Sequence, residues 1–333
     1  MKHRHLGVSG LIVSRLALGT MTWGGDTDEE DAALQLYAFR EAGGTLIDTA
    51  DVYVRGESER ILGRLIAKEG GREELLIATK AYGATGPGPM GRGLSRGHLL
   101  AALDASLGRL GTDYIDLWQV HAWDTVTPLD ETLAALDYAV TTGRVRYIGV
   151  SNFAGWQLAR AAEHQTARGR APIVSTQMEY SLLQRGIERE VIPAALDAGV
   201  GILPWSPLGR GVLTGKYRRS VPPDSRGANA SYHRFVAPYL EADRTRIVDA
   251  VLTAADGLGV SPVAVALAWV RDQPGVTAPI IGARTADQLA ASLLAEEVTL
   301  PTEIARALDE VSAPPAAYPE RVRWPTGHDD IED

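Results

Sequence analysis

Asp48, Lys80 and His121 each stand at or just past the end of a short apolar run, and Tyr53 follows Asp48 on the next loop. Together these residue types can make an acid for a carbonyl that is receiving hydride. A tyrosine hydroxyl ionises at about 10 in water. A lysine ammonium beside it favours the phenolate and is expected to lower that value. A carboxylate such as Asp48 holds the lysine charged and in place. His121 can orient a carbonyl oxygen by donating a hydrogen bond. Taken singly, each has an ordinary explanation: Asp48 as a loop cap, Tyr53 as packing, Lys80 as a solvated strand end, His121 as a satisfied half-buried ring. Their recurrence on three successive strand ends is what points to chemistry.

The elements that must position them alternate short apolar runs with longer amphipathic segments, the pattern of βαβ units and a parallel sheet. Eight strands are predicted: Leu16–Gly19, Leu46–Asp48, Leu76–Lys80, Ile115–Val120, Val145–Val150, Ile173–Met178, Gly201–Trp205 and Ala278–Ile281. Helices are predicted over 28–42, from Ser58 to near Gly70, from a Ser95 cap to Gly111, and from a Thr127 cap with Pro128 as first helical residue to Gly143. Five more cover 154–168, 186–198, 243–258, 261–273 and 285–295. Eight strand–helix units with no linker imply one α/β domain over 1–333, a (β/α)8 TIM barrel, a fold that usually takes about 250 residues. Residues 3–13 read as a β-hairpin ahead of it, 206–241 as a long loop after strand seven, and 312–333 as a surface tail.

In such a barrel the active site lies at the C-terminal strand ends. Read in order, those ends carry Asp48 and Tyr53, Lys80, His121, Ser151-Asn152, Gln177, Trp205-Ser206-Pro207 and Gly282-Ala283-Arg284. Trp23 and Trp123 follow strands one and four directly and are expected to contact substrate.

Composition bounds the alternatives. The chain has 333 residues, 45% of them hydrophobic and 23% charged, which suffices for a globular core without staples. It has no cysteine, which excludes disulfides, thiol nucleophiles and thiolate metal sites. The formal charge of −9 argues against nucleic-acid binding, which needs clustered Lys and Arg. No apolar run is long enough to span a membrane, and Gly7, Ser9, Gly10 and Arg15 interrupt the leader-like start, so a cytoplasmic location is expected.

Asp48-Thr49-Ala50-Asp51-Val52-Tyr53, then Thr79-Lys80, then Gln119-Val120-His121, resemble the aldo-keto reductase family. The likeness runs from Leu18-Gly19-Thr20 to Gln288 and takes in Gly149–Phe153, Trp205–Gly211 and Ile281–Thr285. It implies a catalytic tetrad of Asp48, Tyr53, Lys80 and His121, carbonyl reduction, and NADPH (NADP in its oxidised form) lying across the rim without a Rossmann motif. It implies cofactor contacts from Gly19, Thr20, Met21, Asp48, Ser206, Pro207, Gly209, Gly211, Ile281, Gly282, Ala283 and Thr285. Ser151, Asn152 and Gln177 would hold the carboxamide, and Trp205, where the family often has Tyr, would stack on the nicotinamide. Leu208, Arg210 and Lys216 would line the pyrophosphate. Arg284 would meet a 2′-phosphate at a helix N-terminus, and Gln288 the adenosine. The family often carries Glu then Asn further along that helix; here Ala291 and Ser292 stand there, so the adenine contacts are expected to differ.

Other patterns are discounted. Gly86–Gly91 fits G-x-G-x-x-G, but Pro87 and Pro89 offer no N–H to a phosphate. Gly209–Lys216 lacks P-loop spacing. His3 and His5 lie ahead of the barrel, away from the rim, and no metal is expected. A barrel glycosidase would need two carboxylates about 5 Å apart at strand ends, and Glu179 has no evident partner. A metal-dependent hydrolase would need several converging histidines. A cofactor-sensing subunit, as in the β subunits of potassium channels, is the other reading of this fold. Aldehydes, ketosugars and polyketide-like ketones all remain open as substrates, as does oligomeric state, a homo-oligomer included.

Overall fold

The structure, a computed structural model, describes residues 1–318 apart from 219, 224, 226, 229, 316 and 317. Two strands, β1 (His3–His5) and β2 (Ile12–Ser14), pair antiparallel as the expected hairpin. Eight parallel strands follow in ring order: β3 (Ala17–Gly19), β4 (Leu46–Asp48), β5 (Leu76–Ala81), β6 (Ile115–Val120), β7 (Val145–Ser151), β8 (Ile173–Glu179) and β9 (Gly201–Trp205), with β10 (Ile280–Gly282) pairing back onto β3. Between β9 and the segment entering β10, the Ile202 N–H donates to Gly275 O and the Thr277 N–H to Ile202 O. The architecture is the (β/α)8 barrel expected. The last strand starts two residues later than the sequence suggested, because 278–279 lead in as irregular backbone.

The helices outside the ring are α1 (Glu29–Glu41), α2 (Glu57–Glu69), α3 (Arg96–Leu110), α4 (Leu129–Thr141), α5 (Gly155–Ala167), α6 (Val191–Asp197), α7 (Ala230–Val236), α8 (Ala242–Leu258), α9 (Pro262–Arg271), α10 (Ala286–Leu293) and α11 (Thr302–Ser312). Asp28, Ser95, Ser261 and Thr285 cap α1, α3, α9 and α10 by accepting from the backbone N–H three residues on. Three expected starts are corrected. The helix expected over 186–198 begins at Val191, after a 3-10 turn at 186–188. Thr127 does not cap α4: its hydroxyl donates to Asp124, and Pro128 takes the cap position. Ser58 does not open α2, which starts at Glu57 behind a left-handed Gly56, and the Ser58 hydroxyl is buried among Thr20 and Thr49.

Strand alternation divides the core in two. Ala17, Leu46, Ala78, Leu117 and Leu203 fill the barrel interior, and Leu6, Leu11 and Val13 of the hairpin plug its lower end. Ile47, Ile77, Trp118 and Ile148 face outward into the larger core against the helices. Gly7 has a positive φ of 58° and sits so close to β9 that a Cβ would lie 2.3 Å from Gly199 O, so the plug requires glycine there.

Two expectations for the periphery change. The loop 206–241 contains α7 and a short 3-10 turn at 209–214. The tail expected from 312 starts later, because α11, absent from the sequence reading, runs through Ser312 and packs on α8. Residues 316, 317 and 319–333 of that tail lie outside the described residues. Among the described residues, no single helix is long and apolar enough to cross a membrane.

Candidate active site

Alternation along β4 and β5 turns Asp48 and Lys80 into the barrel at its C-terminal mouth. Lys80 Nζ donates to Asp48 Oδ2 at 2.6 Å, to the Thr49 carbonyl at 2.8 Å and to the Tyr53 hydroxyl at 3.2 Å. Gln177 Nε2 donates to Asp48 Oδ1 at 2.8 Å. β4 and β8 stand on opposite sides of the eight-stranded ring, so this last bond is made across the barrel.

The loop after β4 is stitched to β5, which fixes Tyr53. The Thr49 and Asp51 amides donate to Ala78 O and Lys80 O, and the Tyr53 amide to Ala50 O. Just past Tyr53, Val54 and Arg55 take left-handed φ values of 45° and 56°. A β-branched valine there is strained, and such strain collects at functional sites. His121 follows β6, with its amide donating to Ala81 O and its ring edge-on to Tyr53 at 6.0 Å between centroids.

Three groups are shifted from their ordinary values. Burial works against the Lys80 charge, but Asp48 and Tyr53 outweigh it and hold the ammonium above the usual lysine value. Burial raises the Tyr53 hydroxyl, and the Lys80 charge offsets this only in part. That corrects the expected lowering: in this closely packed wall desolvation exceeds the charge effect. His121 is pushed down to about 3, first by burial and then by Lys80, so its ring is neutral at physiological pH.

Asp48, Tyr53, His121 and Gln177 form the floor of a cavity of about 590 Å³ that continues along the rim to the start of α10, with Lys80 buried behind them. Gly19, Met21, Ser151, Asn152, Trp205, Ser206, Pro207, Leu208, Gly211 and Lys216 line it, as do Ile281, Gly282, Arg284 and Gln288. Asn152, at a left-handed φ of 57°, donates from Nδ2 to His121 O and accepts from Trp205 Nε1 at 3.2 Å, tying three strand ends together.

Several expected contacts fall elsewhere. Trp23 does not line the cavity: it is fully buried, and its indole N–H donates to Gln35. Trp123 packs edge-on between Phe153 and Trp156 at 5.1 and 5.5 Å and does not line the cavity. Thr20 is buried with Ser58, Gly209 lies against Leu183, the Ala283 carbonyl accepts from Thr22, and Thr285 serves as the α10 cap. Arg210 lines the cavity, but its fork is bidentate to Glu179 at 2.9 and 2.8 Å and it also donates to Phe235 O. A pyrophosphate at that position would compete with Glu179. The Gln288 amide oxygen accepts from the Arg284 backbone N–H at 3.0 Å.

Sequence reasoning missed Thr22, Thr214, Val263 and Ile280 as lining residues. Val263 sits on α9, whose sequence shows only an ordinary apolar face. It also missed a buried polar cluster behind Lys80, in which Glu59 accepts from Thr79 and Arg109, each at 2.6 Å. Among the described residues no group of three or more His, Asp or Glu side chains is gathered as a metal site.

A model of the aldo/keto reductase family matches residues 15–313. The chain belongs to that family. It is 40% identical to an uncharacterized oxidoreductase, YrpG, of Bacillus subtilis, over 97% of this chain and 100% of the relative. It is 36% identical to a probable voltage-gated potassium channel subunit beta of Arabidopsis thaliana, over 96% and 98%. Identity to the versiconal hemiacetal acetate reductase of Aspergillus parasiticus is also 36%, over 96% and 99%. Family membership makes the chain an oxidoreductase of the carbonyl-reducing class, whose cofactor is generally NAD(P)H.

Proposed function

We propose that this chain is an NADPH-dependent carbonyl reductase, one domain over 1–333, with Tyr53 as the acid. The observation that carries the reading is the closed network of Tyr53, Lys80 and Asp48 beside a neutral His121, at one end of a cavity that reaches Arg284. The lining suits a dinucleotide. Ser151, Asn152 and Gln177 offer polar groups near the tetrad, Trp205 an aromatic face, and Arg284 with the N-terminus of α10 a site for a phosphate. The bound nicotinamide would supply hydride.

The chain's own groups do the rest. The neutral His121 ring can donate to the substrate oxygen without bringing a charge. Tyr53, protonated because burial raises its hydroxyl, gives its proton to that oxygen as negative charge develops. Lys80, held cationic by Asp48, stabilises the phenolate left behind. The test is NADPH consumption over a panel of aldehydes and ketones that includes versiconal hemiacetal acetate, with an NADPH fluorescence titration alongside. Binding of NADPH with turnover of no carbonyl would favour the second reading, a cofactor-sensing subunit, which the potassium-channel relative supports.

A further inference from the structure

Behind the wall that carries Tyr53 and Lys80 lies a carboxyl that the reduction does not use. Asp51 is 2% exposed, and neither of its buried oxygens reaches a side-chain donor among the described residues. The charges that face it are Glu59 from α2, Arg109 from α3 and Lys80 from β5, with the Val52 amide on its own loop. The guanidinium is already taken: Arg109 donates to Glu59 at 2.6 Å and to Ser106 at 3.1 Å. Two buried carboxyls therefore face one arginine that, of the two, bonds only Glu59, and ionising both there is costly. Burial, then Glu59, pushes Asp51 up to about 7.

Asp51 is also tied to the acid. Its backbone N–H donates to Lys80 O at 3.1 Å, it precedes Tyr53 by two residues, and its charge bears on the Tyr53 hydroxyl. We propose that Asp51 is a positioning residue for Tyr53: as a neutral carboxyl it leaves the Tyr53–Lys80 pair in balance, and when ionised it weakens Tyr53 as an acid. The proton goes to solvent, and the new carboxylate favours the protonated phenol. Carbonyl reduction then slows as pH rises through neutrality, while the reverse oxidation gains a stronger base. This rests on the reading of Tyr53 as the acid.

The test compares kcat for carbonyl reduction by wild type, Asp51→Asn and Glu59→Gln at saturating NADPH, from mildly acid to mildly alkaline pH. Wild type should lose a few-fold in kcat across a step near neutral pH. Asp51→Asn should show no step. Glu59→Gln should move the step to lower pH, because it removes a like charge and frees Arg109 for Asp51. Infrared titration of the same proteins needs no turnover. It should show a protonated-carboxyl band that wild type loses across the same range and that Asp51→Asn lacks. A step that persists unmoved in both variants overturns the proposal, as does a wild-type spectrum without that band. If the band titrates as expected but no carbonyl is reduced, it is the assignment of Tyr53 that falls.

Discussion

At the reactive end of the cavity the polar groups are held by one another: Lys80 by Asp48 and Thr49, Asp48 by Gln177 from across the ring, Asn152 by Trp205. At the far end two separate pairs are seen. Arg284 and Gln288 are joined through one backbone N–H at the first turn of α10, and Arg210 is engaged by Glu179 in the cavity wall. The first end is fixed by side chains from opposite strands of the ring, the second by one helix start and by one loop pinned to β8. Substitutions that break the reactive-end network should therefore damage chemistry and stability together, whereas substitution of Arg284 should change selectivity alone.

The largest expected effect is from Tyr53→Phe, which removes the hydroxyl, and with it the proton and the bond from Lys80. Its kcat for carbonyl reduction should fall by about 10²–10⁴-fold with NADPH affinity unchanged. If the variant kept more than about a tenth of wild-type kcat with chemistry limiting, the acid would lie elsewhere.

Lys80→Met should lose activity as well, and it also strands the Asp48 carboxylate, which is buried at 3% exposure. Breaking a buried pair in this way costs roughly 3–5 kcal/mol, readable as a lower denaturant midpoint. An active Lys80→Met protein of wild-type stability would show that the network is not a unit.

Arg284→Ala should weaken NADPH by about tenfold to a hundredfold, the equivalent of a charge-assisted hydrogen bond at roughly 1.5–3 kcal/mol, and leave NADH nearly unchanged. Titration of both cofactors at fixed low salt is the measurement. Equal losses for the two would mean that the 2′-phosphate is not read there.

A separate expectation concerns pH and His121. Its folded value of about 3 lies below the unfolded value of about 6.5, so the unfolded chain binds the extra proton between these two. The stability it contributes is present above about 6.5 and is lost as pH falls toward 3. Asp51 acts the other way, since its raised value means stability is lost as pH climbs from about 4 to about 7. Thermal unfolding of His121→Asn and Asp51→Asn across this range should separate the two slopes. Parallel curves for both variants would deny that the groups are oppositely shifted.

How much of this was legible depended on distance along the chain. Strand alternation, glycine stops and serine caps are local signals. They sufficed for the barrel, for most helix limits and for the nomination of Asp48, Tyr53, Lys80 and His121. The α11 helix was missed although Ile304 and Leu308 mark its inner face, because it follows the eighth strand–helix unit and lies outside the repeat. Trp23 was misread because adjacency to a strand end does not give a direction. The β3–α1 loop folds its indole into the core onto Gln35, where burial of a large aromatic ring is favourable.

By itself the sequence determined the periodicity, hence eight strand–helix units, and the order in which polar residues meet the barrel mouth. Only the tertiary structure decided which of those residues share a charge. Gln177 reaches Asp48 because ring closure sets β8 opposite β4, and Arg210 is taken by Glu179 because the loop after β9 folds back over β8. Likewise, the sign of the Tyr53 shift follows from how completely its surroundings exclude water, and exclusion of water is a property of packing between segments distant in the chain.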